Sequence, residues 1–252
     1  MMRPLVIAAL SGLLAACASG EADDPSGGES DVVTSAPPRP PEQAARPPIS
    51  VSPLEFQCRS DAFCENFESA DPSARWTSES GAGILFAAPS ASRGARSLRV
   101  ATDAPAFLVE RGKASVAGAL SVAFRLDAAP RARLGGPAIV VGDASIVLAI
   151  APEGIVLEQH DAWCPSCRKR EDLVAPAAPG TWHFVVLGFE ANGATSAPYG
   201  RLEIGVDGGD LSTVALDVPL YGADVELHAG VTTADVGAGN ALAIDDVMFL
   251  LH

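Results

Sequence analysis

Positive charge is scarce in this sequence, which has 17 Lys and Arg residues against 31 Asp and Glu residues. The resulting net charge of −14 excludes proteins that bind nucleic acid through a basic surface, because acidic surfaces repel phosphates. Aromatic residues are also few, at 6% of the chain. With so few aromatic residues, the chain can form few of the aromatic platforms that sugar-binding sites commonly use.

Long apolar runs and amphipathic helical patterns are lacking as well. The apolar stretch from Leu5 to Ala16 is too short to span a bilayer, which takes roughly 20 residues. After it, no long window repeats apolar residues every 3.6 positions. Strand patterns are frequent instead: Leu120, Val122, Phe124 and Leu126 alternate with smaller or polar residues. Glycine and Asp punctuate such runs, and the segment 201–216 predicts a hairpin around Asp207-Gly208.

Motifs of the common hydrolases and phosphate-binding enzymes are missing. There is no Gly-x-Ser-x-Gly elbow and no phosphate-binding glycine loop. The four histidines, at positions 160, 183, 228 and 252, do not have metal-binding spacing. We expect His183 and His228 to be surface residues on strands, and we expect no enzymatic activity.

The N-terminus has the layout of a secretory signal peptide, with Arg3 before the apolar stretch and small residues after it. Leu14-Ala15-Ala16-Cys17 resembles the lipobox of bacterial lipoproteins, which implies cleavage after residue 16 and lipidation of Cys17 by a diacylglycerol and a further acyl chain such as palmitate. Several acyl chains anchor a protein stably to a membrane. Ala18 in place of Asp implies sorting to the outer membrane or cell surface.

Residues 17–53 differ in composition from the rest of the chain. They are rich in Pro, Gly, Ser and acidic residues and have too few large apolar side chains to fold, so we predict a disordered tether. Residues 54–252 suit one all-β sandwich domain, since folds of this class commonly reach that size.

Three segments of this domain resemble concanavalin A-like jelly rolls, including laminin G-like domains. They are Phe63 to Glu68 followed by Trp76, Thr181 to Val186 followed by the Arg201 to Gly208 segment, and Ala243 to Val247. The resemblance implies a jelly roll of two antiparallel sheets, one concave, with the first and last strands adjacent. We expect Trp76 and Trp182 to lie in the core.

The resemblance also implies a structural Ca²⁺ held by Glu68 together with Asp245 or Asp246. Calcium takes six to eight oxygen ligands, which carboxylates and carbonyls at strand ends can supply. Asp245 and Asp246 point to opposite faces of a regular strand, so only one can join Glu68 unless the strand bulges. Solvated acids at the sheet rim are the alternative.

The sequence departs from the catalytic patterns of enzymes in this superfamily. The β-glucanase pattern Glu-x-Asp-x-x-Glu is absent, and Glu203 and Asp207 have the wrong spacing. The residues Glu158-Gln159-His160 match the Gln-x-His element of the related lyases only in part.

Besides Cys17 there are four cysteines, and export favours their oxidation. Among three connectivities we predict Cys58–Cys64 and Cys164–Cys167. The segment Trp163 to Cys167 is also similar to a thioredoxin redox motif, although no helical pattern follows it, and a four-cysteine zinc site is a further alternative.

The sequence supports two functions for this domain. The first is a non-catalytic module that binds a polysaccharide or a partner protein at the cell surface, with Trp163 as the candidate contact. The second is a structural or assembly lipoprotein that packs against other envelope proteins. A degenerate polysaccharide lyase or hydrolase ranks third.

Overall fold

A computed structural model describes residues 58–83, 85–101, 103–162, 177–220, 222–234 and 241–252, and the backbone of 169–172. The predicted signal peptide, Cys17, the tether, Trp163 and the Cys164–Cys167 pair lie outside these residues. Within them the chain forms strands and no helix, so none of them makes an apolar helix that could cross a membrane.

The strands form two antiparallel sheets. Sheet A contains, from edge to edge, β13 (Ser212–Leu216), β12 (Gly200–Val206), β11 (His183–Ala191), β6 (Ala117–Leu126), β16 (Ala241–Leu251), β4 (Ser97–Ala101) and β3 (Leu85–Ala88), with β1 (Phe63–Glu65) also paired to β16. Sheet B contains β10 (Lys169–Asp172), β9 (Gly154–Asp161), β8 (Ala144–Ala151), β7 (Leu134–Val141), β14 (Val225–Val231), β5 (Ala106–Gly112) and β2 (Ser78–Gly81), with β15 (Thr233–Ala234) paired to β7.

One apolar core lies between the two sheets. Strand β6 contributes Leu120, Val122, Phe124 and Leu126, the residues whose alternation predicts a half-buried strand. Each of these side chains is at most 2% exposed. Because burying apolar surface contributes about 25 cal/mol per Å² to the free energy of folding, burial of this face is the main driving force for packing the two sheets together. From sheet B, Gln159 reaches across the core, accepting a hydrogen bond from Asp217 N and donating one to Ala215 O.

The predicted jelly-roll sandwich is confirmed, as is the adjacency of its first and last strands, because β1 pairs with β16 through Phe63 and Phe249. The predicted hairpin forms between β12 and β13, and both Asp207 and Gly208 adopt positive φ angles in its turn. The Cys58–Cys64 disulfide is also confirmed and ties the entry segment to β1.

Two details differ from the prediction. The opening strand ends at Glu65 rather than Glu68, because Phe67 adopts a φ of 52° and turns its ring into the core. Trp76 is buried against that ring as expected, with centroids 6.1 Å apart. The expectation that Trp182 lies in the core is wrong: it is half-buried and packs under Arg125 on the outward face of sheet A.

Candidate functional site

The two aspartates of the closing strand meet at a bulge in β16. The register with β6 shifts between Asp245 and Met248, and Asp246 has a φ of 50°. Both carboxylates consequently contact Ser92: Asp245 accepts from its backbone N (2.8 Å) and from Arg93 N (3.3 Å), and Asp246 accepts from its hydroxyl. In a regular strand these two neighbouring side chains would point to opposite faces, and the bulge allows both to reach Ser92.

Glu68, the third predicted ligand, binds the same loop three residues further on. Its Oε1 accepts hydrogen bonds from the backbone N of Ala95 (2.7 Å) and Arg96 (3.3 Å). Among the described residues, no three acidic, His or Cys side chains are grouped closely enough to hold a metal ion. The three acids therefore clamp one loop, residues 92–96, from two sides.

The Asp245 carboxyl has a raised pKa. Burial and the neighbouring Asp246 charge raise the pKa of Asp245 to about 7, although three backbone N–H groups bind it. Two adjacent buried acids are costly unless protons, hydrogen bonds or a cation compensate them.

Sheet B carries a polar cluster on its outward face, on strands β14 and β5. His228 stacks on Phe107 with centroids 4.5 Å apart and donates through Nε2 to Glu226 (2.9 Å). Glu226 also accepts from Arg111 Nε (2.8 Å). Its hydrogen bond with His228, reinforced by Arg111, lowers the pKa of Glu226, so this carboxylate is charged at neutral pH.

A second cluster of the same composition lies on β9. Glu158, only 2% exposed, accepts two hydrogen bonds from Arg133, through Nε (2.6 Å) and Nη2. His160 Nε2 lies 2.9 Å from the same carboxylate. A bidentate arginine on a buried carboxylate fixes both groups in orientation.

The register of sheet B places the two clusters opposite each other. One row of neighbours across the strands runs from Glu158 to His228 and the next from His160 to Glu226. Three strand spacings, roughly 14 Å, separate the clusters. Small or apolar outward-facing residues form the floor between them: Ala138, Val140, Ser145 and Val147.

No family model matches this chain, and no curated protein matches it. Solved structures match across most of the chain. One is the cellulose induced protein Cip1, with 13% identity and a TM-score of 0.53, covering 74% of this chain and 96% of the other. A second is domain 4 of the arabinanase AbnA from Geobacillus stearothermophilus in complex with arabinotriose, with 12% identity and a TM-score of 0.54, covering 75% of this chain and 90% of the other.

A third match is the alginate lyase vAL-1 from Chlorella virus, with 9% identity and a TM-score of 0.51, covering 70% of this chain and 93% of the other. At these identities the likeness shows the jelly-roll fold alone. What the domain does has to be argued from its own outward faces.

The arrangement on sheet B is suited to binding a polar ligand. Each cluster holds a planar guanidinium and an imidazole in place through hydrogen bonds to a carboxylate, so little side-chain entropy is lost on binding.

The other two histidines lie elsewhere. His183 Nδ1 lies 2.7 Å from Asp207 Oδ2, and its Nε2 accepts from Ala178 N (3.1 Å), so this imidazole fastens a turn. His252 is exposed at the end of β16. Sequence motifs point to His228 and to the Glu158 to His160 segment separately, and none of them points to Glu226. The signal was present: Glu-x-His occurs twice, and residues two apart on a strand share a face.

Proposed function

We propose that this domain is a non-catalytic module that binds a polysaccharide on the outward face of sheet B. The observation that carries the proposal is the pair of Arg–Glu–His clusters facing each other across a floor of small or apolar residues. Sugar hydroxyls both donate and accept hydrogen bonds, and the Glu226 carboxylate and the guanidinium groups supply the matching partners. The Phe107–His228 stack adds an apolar surface for a sugar ring.

We further propose that lipid on Cys17 holds the domain on the cell envelope, with residues 17–53 as the tether. The apolar stretch before Cys17 and the Pro-rich composition after it support this proposal. A polysaccharide-binding face then stands away from the membrane surface. Envelope proteins are the alternative partners.

Replacing Glu226 with Ala is expected to weaken polysaccharide binding by about tenfold, since His228 and Arg111 both lose the carboxylate that orients them. The measurement is affinity electrophoresis of the full chain on a panel of neutral and acidic polysaccharides, followed by calorimetry on those that bind.

The matched control is Glu190→Ala, which breaks an Arg–Glu pair of similar geometry on sheet A, Arg201 to Glu190 at 2.8 Å. Equal affinities for both variants would overturn the assignment to sheet B. Absence of binding to the whole panel, with an envelope protein recovered in a stable complex, would favour the assembly function. Release of unsaturated sugar ends would instead make this face a lyase site.

We also propose that Ca²⁺ binds beside the 92–96 loop. The donor chemistry fits a hard cation: Asp246 supplies a buried carboxylate and Ser92 a half-buried hydroxyl, and a divalent charge would relieve the repulsion between Asp245 and Asp246. Asp245, whose oxygens accept backbone N–H groups, positions the loop. Glu68 holds the far end of that loop.

The melting temperature is accordingly expected to be several degrees higher in calcium than in chelator, about 4 °C for each kcal/mol of stabilisation. Asp246→Asn is expected to abolish this difference. A melting temperature that is the same in calcium and chelator would rule out a calcium site here.

A further inference from the structure

A second row of side chains crosses the outward face of sheet A. Phe86 on β3 pairs with Arg99 on β4, Arg99 pairs with Ala243 on β16, and Ala243 pairs with Arg125 on β6. Trp182, immediately before β11, continues this register opposite Arg125. The row therefore reads aromatic, Arg, Ala, Arg, aromatic.

Each arginine of this row lies over one of the rings. The Arg99 guanidinium is 6.0 Å from the Phe86 centroid, and that of Arg125 is 5.1 Å from the Trp182 centroid. Asp127, one residue beyond β6, forms ion pairs with both arginines and thus orients them. The row has a net charge of +1 in a chain whose net charge is −14.

Phe86 is 41% exposed, an unusual position for a large apolar side chain in a chain with few aromatic residues. The Nε of Arg125 has no hydrogen-bond acceptor among the described residues. The next outward-facing position of β16, Asp245, is covered by the 92–96 loop, so its charge does not face the row. The row itself stays half-exposed beside that loop.

The dimensions and chemistry of the row match an extended acidic glycan. Its two rings are separated by four strand spacings, roughly 19 Å along a straight line across the sheet. Aromatic faces stack on the C–H faces of sugar rings, and guanidinium groups pair with carboxylates. A polyphosphate chain is a poorer match, because it has no C–H groups that could contact Phe86 and Trp182.

From this geometry we infer that the row is a second glycan-binding surface, which takes a uronate-bearing polysaccharide strand lying across sheet A. Sugar C–H groups contact the exposed parts of Phe86 and Trp182, and uronate carboxylates pair with Arg99 and Arg125, which lie over those rings. The surface is separate from the clusters of sheet B and does not depend on their function.

The test uses the full chain with polygalacturonate and, as the uncharged counterpart, its methyl-esterified form. Phe86→Ala and Arg99→Gln are each expected to lower the affinity for polygalacturonate by about tenfold. The esterified polymer is expected to bind at least tenfold more weakly to the unmodified chain, and added salt is expected to weaken only the charged interaction.

Two controls separate this surface from other charged groups of the domain and from loss of folding. Glu190→Ala, which breaks an Arg–Glu pair of sheet A outside the row, is expected to leave binding at the row unchanged. Arg99→Lys, which keeps the charge and the fold, is expected to retain part of the affinity. Unchanged affinity in both Phe86→Ala and Arg99→Gln would overturn the inference. So would equal binding of the two polymers, or equally strong binding to anionic lipid vesicles.

Discussion

Replacing Asp245 with Ala is expected to lower the free energy of unfolding by about 3 kcal/mol. The side chain is fully buried and accepts hydrogen bonds from the backbone N of Ser92, Arg93 and Asp246. Without it, three backbone N–H groups lose their acceptor, at about 1 kcal/mol each. Denaturant unfolding with chelator present measures the change.

Asp245→Asn provides the control, because it keeps one oxygen acceptor and removes the charge. The raised pKa of Asp245 means that the folded state binds a proton more tightly than the unfolded state. This contribution to stability is present at low pH and is lost as the pH rises from about 4 to about 7. The stability advantage of the unmodified chain over Asp245→Asn is therefore expected to shrink across that range, and an advantage that grew with pH would contradict the assigned pKa.

Much of the fold could be predicted from local sequence patterns. The alternation in β6 identifies its core face because side chains two apart point the same way on any strand. The hairpin of β12 and β13 follows from Asp207 and Gly208, which tolerate the positive φ of a tight turn. The Cys58–Cys64 bridge follows from closeness in sequence. Each of these features depends on residues within a few positions of one another.

The functional surfaces depend instead on register between distant strands. Glu158 and His228 are 70 positions apart, and only the pairing of four strands places them in one row. The bulge at Asp246 is likewise set by how β16 meets β6 and the 92–96 loop, so the sequence alone predicts a regular strand there. Trp182 lies outside the core for a related reason, since an aromatic residue beside a strand is buried only if another element covers it.

On both outward faces, carboxylates hold arginines in place, but the two faces differ in how deeply these ion pairs are buried. On sheet A, Asp127 leaves its two arginines half-exposed above aromatic rings. On sheet B, the carboxylate of Glu158 is itself buried beneath Arg133 and His160. The sheet B clusters therefore contribute to stability as well as to binding, and loss of one member is expected to affect both.

Replacing Glu158 with Ala is expected to destabilise the domain by about 3 kcal/mol, the lower end for a broken buried ion pair, because Arg133 and His160 still reach solvent. Polysaccharide affinity on sheet B is expected to fall at the same time, since both side chains lose their orientation. Equilibrium unfolding and calorimetry measure the two effects.

A double-mutant cycle with Arg133→Met distinguishes pairing from packing. If the ion pair is the source of the stability, the double variant is expected to recover at least 1 kcal/mol relative to the sum of the single variants. Glu190→Ala breaks the exposed pair with Arg201, both partners of which are more than 40% exposed, and is expected to cost no more than about 0.5 kcal/mol. Additive energies in the Glu158–Arg133 cycle would contradict a coupled pair. If the double variant recovers stability but not polysaccharide binding, Glu158 has two separate roles. One is to stabilise the fold, and the other is to orient Arg133 and His160 toward the ligand.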